Sequence, residues 1–271
     1  MQQGGMLALR RLLQVGRQPI CQQMLIQRRN IFQSKPPLAV LVTCMDGRLL
    51  PSRLFKAEIG ELFIVRNPGN FVPHSCTCSP TPEGGRACPS GEMAGLQLAV
   101  QKMAVPEIIV CGHADCKAAE ALKHLHVAKP TGSPGSGSQH SLDLVNNWLH
   151  THGSTSLDKY HRHMERPDEA IEFEGGGKKG APISAVIEND GKVSNTDRLA
   201  QINVLQQLEH LQSYDFIRTR LETGQIRLHA TYYNLLNGDM FVFNRAERRF
   251  VLLPTADINS LSHYISVLKD S

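Results

Sequence analysis

No aspartate or glutamate occurs before Asp46 in this chain of 271 residues, although six basic residues do: Arg10, Arg11, Arg17, Arg28, Arg29 and Lys35. Setting those six of the 29 basic residues aside leaves 23 against 25 acidic ones, so the body carries no basic excess for nucleic acid to recognise. Long apolar runs are missing as well. The stretch from Leu38 to Val42 is far shorter than the roughly 18 residues a spanning helix needs. The seven cysteines, at 21, 44, 76, 78, 88, 111 and 116, are odd in number and irregular in spacing, which disfavours a disulfide scaffold and favours reduced thiols, some of them on metal. No internal repeat is evident. Apolar content of 41% with 20% charged residues is that of a globular chain with a core.

The acid-free start reads Met6-Leu-Ala-Leu-Arg-Arg-Leu-Leu-Gln-Val15. Residues 1–34 are therefore expected to be a mitochondrial transit peptide or, in the plainer reading, an N-terminal helical arm on a cytoplasmic protein. Residues 35–271 are expected to form one domain.

Leu38 to Thr43, Leu62 to Val65 and Ile108 to Cys111 are short β-branched apolar runs, as expected of strands buried on both faces of a parallel sheet. The helix-like spacing from Gly91 to Val105 supplies a crossover between the last two. Alternation of this kind predicts an α/β fold with a mostly parallel central sheet flanked by helices. A Gly/Ser/Pro linker at 130–138 and a glycine-rich stretch at 174–180 frame an isolated helical segment at 141–152. A strand is expected at 183–187. A helix capped at Thr196-Asp197 should run to about Gln212, with Leu199, Ile202, Leu205, Leu208 and Leu211 as its core stripe. Residues 225–244 predict a C-terminal hairpin turning at Asn237-Gly238 in type I′ geometry.

Chemistry concentrates at two strand ends. Cys44-Met-Asp46-Gly-Arg48 follows the first strand and His113-Ala-Asp-Cys116 follows the third. In an open parallel sheet, ligands bind beyond the carboxyl ends of the strands, so Cys44, His113 and Cys116 can meet there. Two thiolates and an imidazole make a zinc set with one position left open for water. Arg48 can hold the Asp46 carboxylate in a bidentate pair, off the metal and ready to accept a hydrogen bond. Singly, each residue has a plainer reading: Asp46 and Arg48 as an ordinary ion pair, His113 as a helix cap, Cys111 as a small core residue.

These motifs, with Val65-Arg-Asn-Pro-Gly-Asn70, Val110-Cys-Gly-His-Ala-Asp-Cys-Lys117 and Leu199-Ala-Gln-Ile-Asn-Val-Leu-Gln-Gln207, resemble the β-class carbonic anhydrases, especially their animal mitochondrial members. The resemblance implies zinc on Cys44, His113 and Cys116, with Asp46 either paired to Arg48 in an active form or bound to zinc in a resting one. It further implies reversible hydration of carbon dioxide to bicarbonate and a proton by zinc-bound hydroxide, and a homodimer as the smallest assembly. Three departures stand out: Gly47 where serine is usual, Pro68 where a small residue is usual, and Lys35 where plant-type members place glutamine. Two rival functions are a hydrolase for an analogue such as carbonyl sulfide and a non-enzymatic module whose zinc is closed by Cys44, Asp46, His113 and Cys116. His74, Cys76, Cys78 and Cys88 form a second ligand-rich group, read as incidental thiols in a loop. The histidines at 124, 126, 140, 150, 152, 161 and 163 are read as solvated loop residues.

Overall fold

The structure, a computed structural model of the chain, describes residues 36–78, 90–125, 143–175, 178–189, 191 and 193–253, together with Ile26 and Ile31. The rest of the leader, the linker at 130–138, and Cys21, Lys35, Cys88, His126 and His140 lie outside these residues.

Six strands form the main sheet: β1 (Ala39–Cys44), β2 (Leu62–Asn67), β3 (Glu107–His113), β6 (Arg227–Tyr233), β7 (Met240–Asn244) and β8 (Arg249–Leu252), in the order β2-β1-β3-β6-β7-β8. The first four are parallel and the last two antiparallel, so the expected α/β sheet is present. All six residues of β1 are buried, because it lies between β2 and β3 and is covered on both faces; its apolar run has no polar alternation for that reason. Register pairs Thr43 with Cys111, and the Thr43 hydroxyl donates to the Cys111 carbonyl at 3.0 Å. The ends of β1 and β3 are thus locked side by side. Cys111 is fully buried, as its plain reading expected.

The helices are α1 (Pro51–Leu54), α2 (Gly91–Gln97), α3 (Lys117–Lys123), α4 (Leu144–Glu165), α5 (Asn195–Gln212) and α6 (Asp215–Glu222). The crossover helix α2 is capped by Ser90 and ends in a π-turn at Leu98–Lys102. Helix α5 is capped by Ser194, whose hydroxyl accepts from the Asp197 amide at 3.1 Å, and Thr196 falls inside the helix instead of capping it. Its leucine and isoleucine stripe is fully buried, and so are Asn203, Gln206 and Gln207, because the helix runs between β3, β6 and α4. A Cβ on Gly112 would lie 2.4 Å from Val204, so the glycine in β3 is what admits α5 this close.

Four expectations need correction. The segment at 141–152 is not an isolated helix: α4 has 22 residues and packs on α3 and α5 through Leu149, Gly153, Leu157 and Tyr160, an apolar face carried at helical spacing by an otherwise polar sequence. Consequently His150, His152, His161 and His163 stand on a helix, and His163 is buried within it. The strand at 183–187 is β5 (Ile183–Ala185), paired antiparallel with β4 (Ile171–Phe173) in a separate two-stranded sheet. The hairpin has a six-residue connection, 234–239, in which Gly238 takes φ +82° but Asn237 does not take positive φ, so the turn is not type I′. Its ends close through Asn234 and Asp239 backbone bonding, and β8 adds a third antiparallel strand.

Candidate metal centre

Cys44 is the last residue of β1 and His113 the last of β3, while Cys116 occupies the cap position of α3. One ligand atom from each lies within 4.8 Å of the others, and the two sulfurs are 4.0 Å apart. All three are buried: His113 is 0% exposed, Cys116 2% and Cys44 4%. His113 caps nothing. Its Nδ1 donates to the Ala114 carbonyl at 2.8 Å, which fixes the tautomer and leaves Nε2 as a lone-pair donor, buried without a hydrogen-bond partner among the described residues.

Protons are shared unevenly across the cluster. The hydrogen bond from Cys116 holds the Cys44 thiol well below its ordinary range against the opposing effect of burial, with help from His113 and from the Gly69 and Asp46 amides. The same hydrogen bond, with burial and the Cys44 charge, pushes Cys116 up, although the Ala118 and Ala119 amides at the start of α3 pull it down. Two sulfurs this close share one proton more easily than none, and a dication between them removes that constraint. Burial lowers the His113 pKa, but the Cys44 thiolate and the Ala114 carbonyl outweigh it and leave the imidazole above its ordinary value.

Beside the cluster, Asp46 is held by Arg48 through three contacts. The Arg48 amide and Nε donate to Oδ1 at 2.9 and 3.0 Å, and Nη2 donates to Oδ2 at 2.7 Å. That pairing holds the Asp46 carboxyl far below the usual carboxylate range, so it is an anion at any physiological pH. In this conformation Asp46 lies outside the group of three ligands. Gly47, between them, has open space where a Cβ would stand, and its loop is held instead by the Asp46 side chain and a bond from the Leu49 amide to the Asp46 carbonyl.

Sequence reasoning missed several residues that shape this centre. Arg66 in β2 donates to the Cys44 carbonyl at 3.0 Å and the Asp46 carbonyl at 2.7 Å, tying down the loop that carries both. Asp115, with φ +53°, bonds Arg48 at 2.7 Å, and its amide donates to Asp197 at 2.9 Å. The segment after β2 is pinned from α5: Asn203 donates to the Gly69 carbonyl, Gln207 accepts from the Val72 amide, and His210 donates to the Val72 carbonyl. Gly69 has φ +85°, and the Pro68 carbonyl accepts from Trp148. Polar residues on α5 spaced by three and four look like a solvated face in sequence, and the motifs at 65–70, 110–117 and 199–207 hold most of these residues without giving them a role. Away from the centre, His74 Nδ1 and the exposed Cys76 Sγ meet at 2.8 Å, Cys76 lying in the 3₁₀ turn Ser75–Cys78.

Two sulfurs and one imidazole nitrogen thus form a buried group that could hold a metal ion, and among the described residues no fourth ligand joins it. The comparisons agree. The family model described as carbonic anhydrase matches residues 39–240. Beta carbonic anhydrase 1 of Caenorhabditis briggsae is 33% identical over 236 residues, 87% of this chain and 84% of that protein; its namesake in Caenorhabditis elegans is 30% identical over 245 residues, 90% and 87%. Among solved structures, the β-carbonic anhydrase CcaA superposes with a TM-score of 0.68 at 24% identity, covering 92% of this chain and all of that one. A structure of two tetrameric β-carbonic anhydrases from Sordaria macrospora gives 0.53 at 18% identity, covering 89% and 97%. The chain belongs to the β-class carbonic anhydrases, and is a lyase of that class.

Proposed function

We propose that this protein hydrates carbon dioxide reversibly to bicarbonate and a proton, using zinc held by Cys44, His113 and Cys116. The observation that carries this reading is the buried Nε2 of His113, without a hydrogen-bond partner among the described residues, beside two thiols 4.0 Å apart. Two sulfurs and one imidazole nitrogen are the donors zinc prefers, and of the two sulfurs Cys44 is the one already held toward the thiolate. Zinc, when bound, supplies the Lewis acidity that makes water a nucleophile near neutral pH.

The chain's own residues do the rest. Asp46 stays ionised and can accept a hydrogen bond from the attacking water, aiming an oxygen lone pair at the carbon of carbon dioxide. Arg48 occupies both carboxylate oxygens and so keeps Asp46 from serving as a fourth ligand, which it would become in a resting form. Arg66 fixes the backbone between ligand and gate. A structural module would need Asp46 released from Arg48, so the pairing supports the enzyme over that rival.

We also infer a homo-oligomer, at least a dimer. β2 is an edge strand, and Ile64 on it, with nearby Leu38, Met45 and Leu50, is exposed. The Sordaria macrospora proteins are described as tetrameric. The acid-free leader supports delivery to mitochondria. The test of the central reading is loss of ¹⁸O from labelled bicarbonate, followed by mass spectrometry. Stripping the metal with a chelator should abolish the exchange and one zinc per chain should restore it; exchange that survives complete metal removal would overturn the reading.

A further inference from the structure

Arg48 has more partners than Asp46 alone. Its Nη1 donates to Asp115 Oδ2 at 2.7 Å and its Nη2 to the Asp115 carbonyl at 3.0 Å, so the guanidinium is clasped between two carboxylates on loops that follow different strands. We propose that Asp115 is a positioning residue, which clamps Arg48 in the orientation that keeps Asp46 away from the open metal position. The inference rests on the zinc reading of the Cys44, His113 and Cys116 centre.

Three observations carry it. The clasp uses every nitrogen of the guanidinium: Nε and Nη2 on Asp46, Nη1 and Nη2 on Asp115. An arginine held only by Asp46 could swing with that carboxylate toward the metal, whereas one held from both sides has a fixed plane. Next, Asp115 has φ +53°, a left-handed conformation that non-glycine residues seldom adopt and that clusters at functional sites. Finally, that conformation is held from a third element: Asp197 of α5 accepts the Asp115 amide at 2.9 Å, and Lys117 pairs with Asp115 Oδ1 at 3.0 Å. Among the described residues, the charged and titratable groups around the clasp include Asp46, Arg66, His113, Lys117 and Glu120, with Asp197 behind it. An isolated exposed ion pair contributes little; one built into a network with fixed backbone on both sides constrains geometry.

The probe is azide, a small anion that needs the metal position Asp46 would otherwise fill, titrated into the zinc-loaded full-length protein by calorimetry. Asp115→Asn removes the charge and keeps a side chain tolerant of left-handed backbone. Asp115→Gly removes the side chain and relieves the backbone, so at least one of the two should fold. With one zinc per chain retained, azide affinity should fall about tenfold in each, the size of one lost charge-assisted hydrogen bond. Loss of a negative charge alone would tighten azide, so the predicted sign is opposite to simple electrostatics. In the double variant Asp46→Ala with Asp115→Asn, affinity should return to that of Asp46→Ala, because no carboxylate is left to restrain. Unchanged or tighter azide binding in a folded single variant, or equal weakening in the double variant, would overturn the proposal. A wild-type chain that fails to hold one zinc would instead strike the underlying reading and this inference with it.

Discussion

The two halves of the centre are built differently. The ligand half, Cys44, His113 and Cys116, is buried at the ends of β1 and β3 and at the start of α3, where sheet register and the α5 contact fix its geometry before any ligand arrives. The gate half, Asp46, Arg48 and Asp115, lies in loops, with the side chains of Arg48 and Asp115 46% and 42% exposed. Packing cannot hold the gate, so hydrogen bonds and opposite charges do. The core thus places the groups assigned to the metal, while the proposed gate is placed by a network that water can reach.

The comparison can be broken most severely on the ligand side. Cys116→Ser or Cys44→Ser should abolish zinc binding and with it all hydration, read by metal analysis and stopped-flow on one sample. Asp46→Ala should retain one zinc per chain yet lose about 10²–10³-fold in hydration rate, since it removes a group acting on the reacting water and no ligand; full activity would remove Asp46 from the mechanism.

The next effect reports on what lies behind the ligands. Burial holds the His210 pKa down at about 4, despite the bond it donates to Val72. A group depressed in the folded state contributes stability that is present above its ordinary pKa of about 6.5 and lost as pH falls toward 4, by up to about 3 kcal/mol. The difference in denaturation midpoint between wild type and His210→Gln should therefore shrink over that window, and a constant difference would contradict it. Gly112→Ala, which forces a methyl against Val204, should cost roughly 1–3 kcal/mol, seen as a lower melting temperature. Gly47→Ser, in open space within the gate loop, should change stability by less than about 0.5 kcal/mol and leave zinc content as it is.

The same contrast governs what could be read in the sequence. β1 and β3 were legible because burial writes itself as a nearly unbroken apolar run, and the strand ends therefore located Cys44 and His113; β2 carries such a run too, but as an edge strand it leaves Ile64 exposed instead of being buried on both faces. The first part of helix α4 was legible as a helical segment, but its continuation to Glu165 was hidden because Leu157 and Tyr160 are scattered among histidines and lysine. The Asn237-Gly238 turn misled because a longer connection needs positive φ at the glycine alone. Asp115, Arg66 and Asn203 were illegible as parts of the site for a physical reason: each acts by reaching a backbone carbonyl or a side chain far away in sequence, and no local pattern encodes that reach.

The most direct test of the account is stopped-flow hydration of carbon dioxide by the purified protein, with zinc determined on the same sample, across about pH 6.5 to 9, the range around the pKa near 7 expected of water on a catalytic zinc. The account predicts one zinc per chain and a rate that climbs with pH to a plateau. One zinc per chain with no hydration at any pH would contradict it.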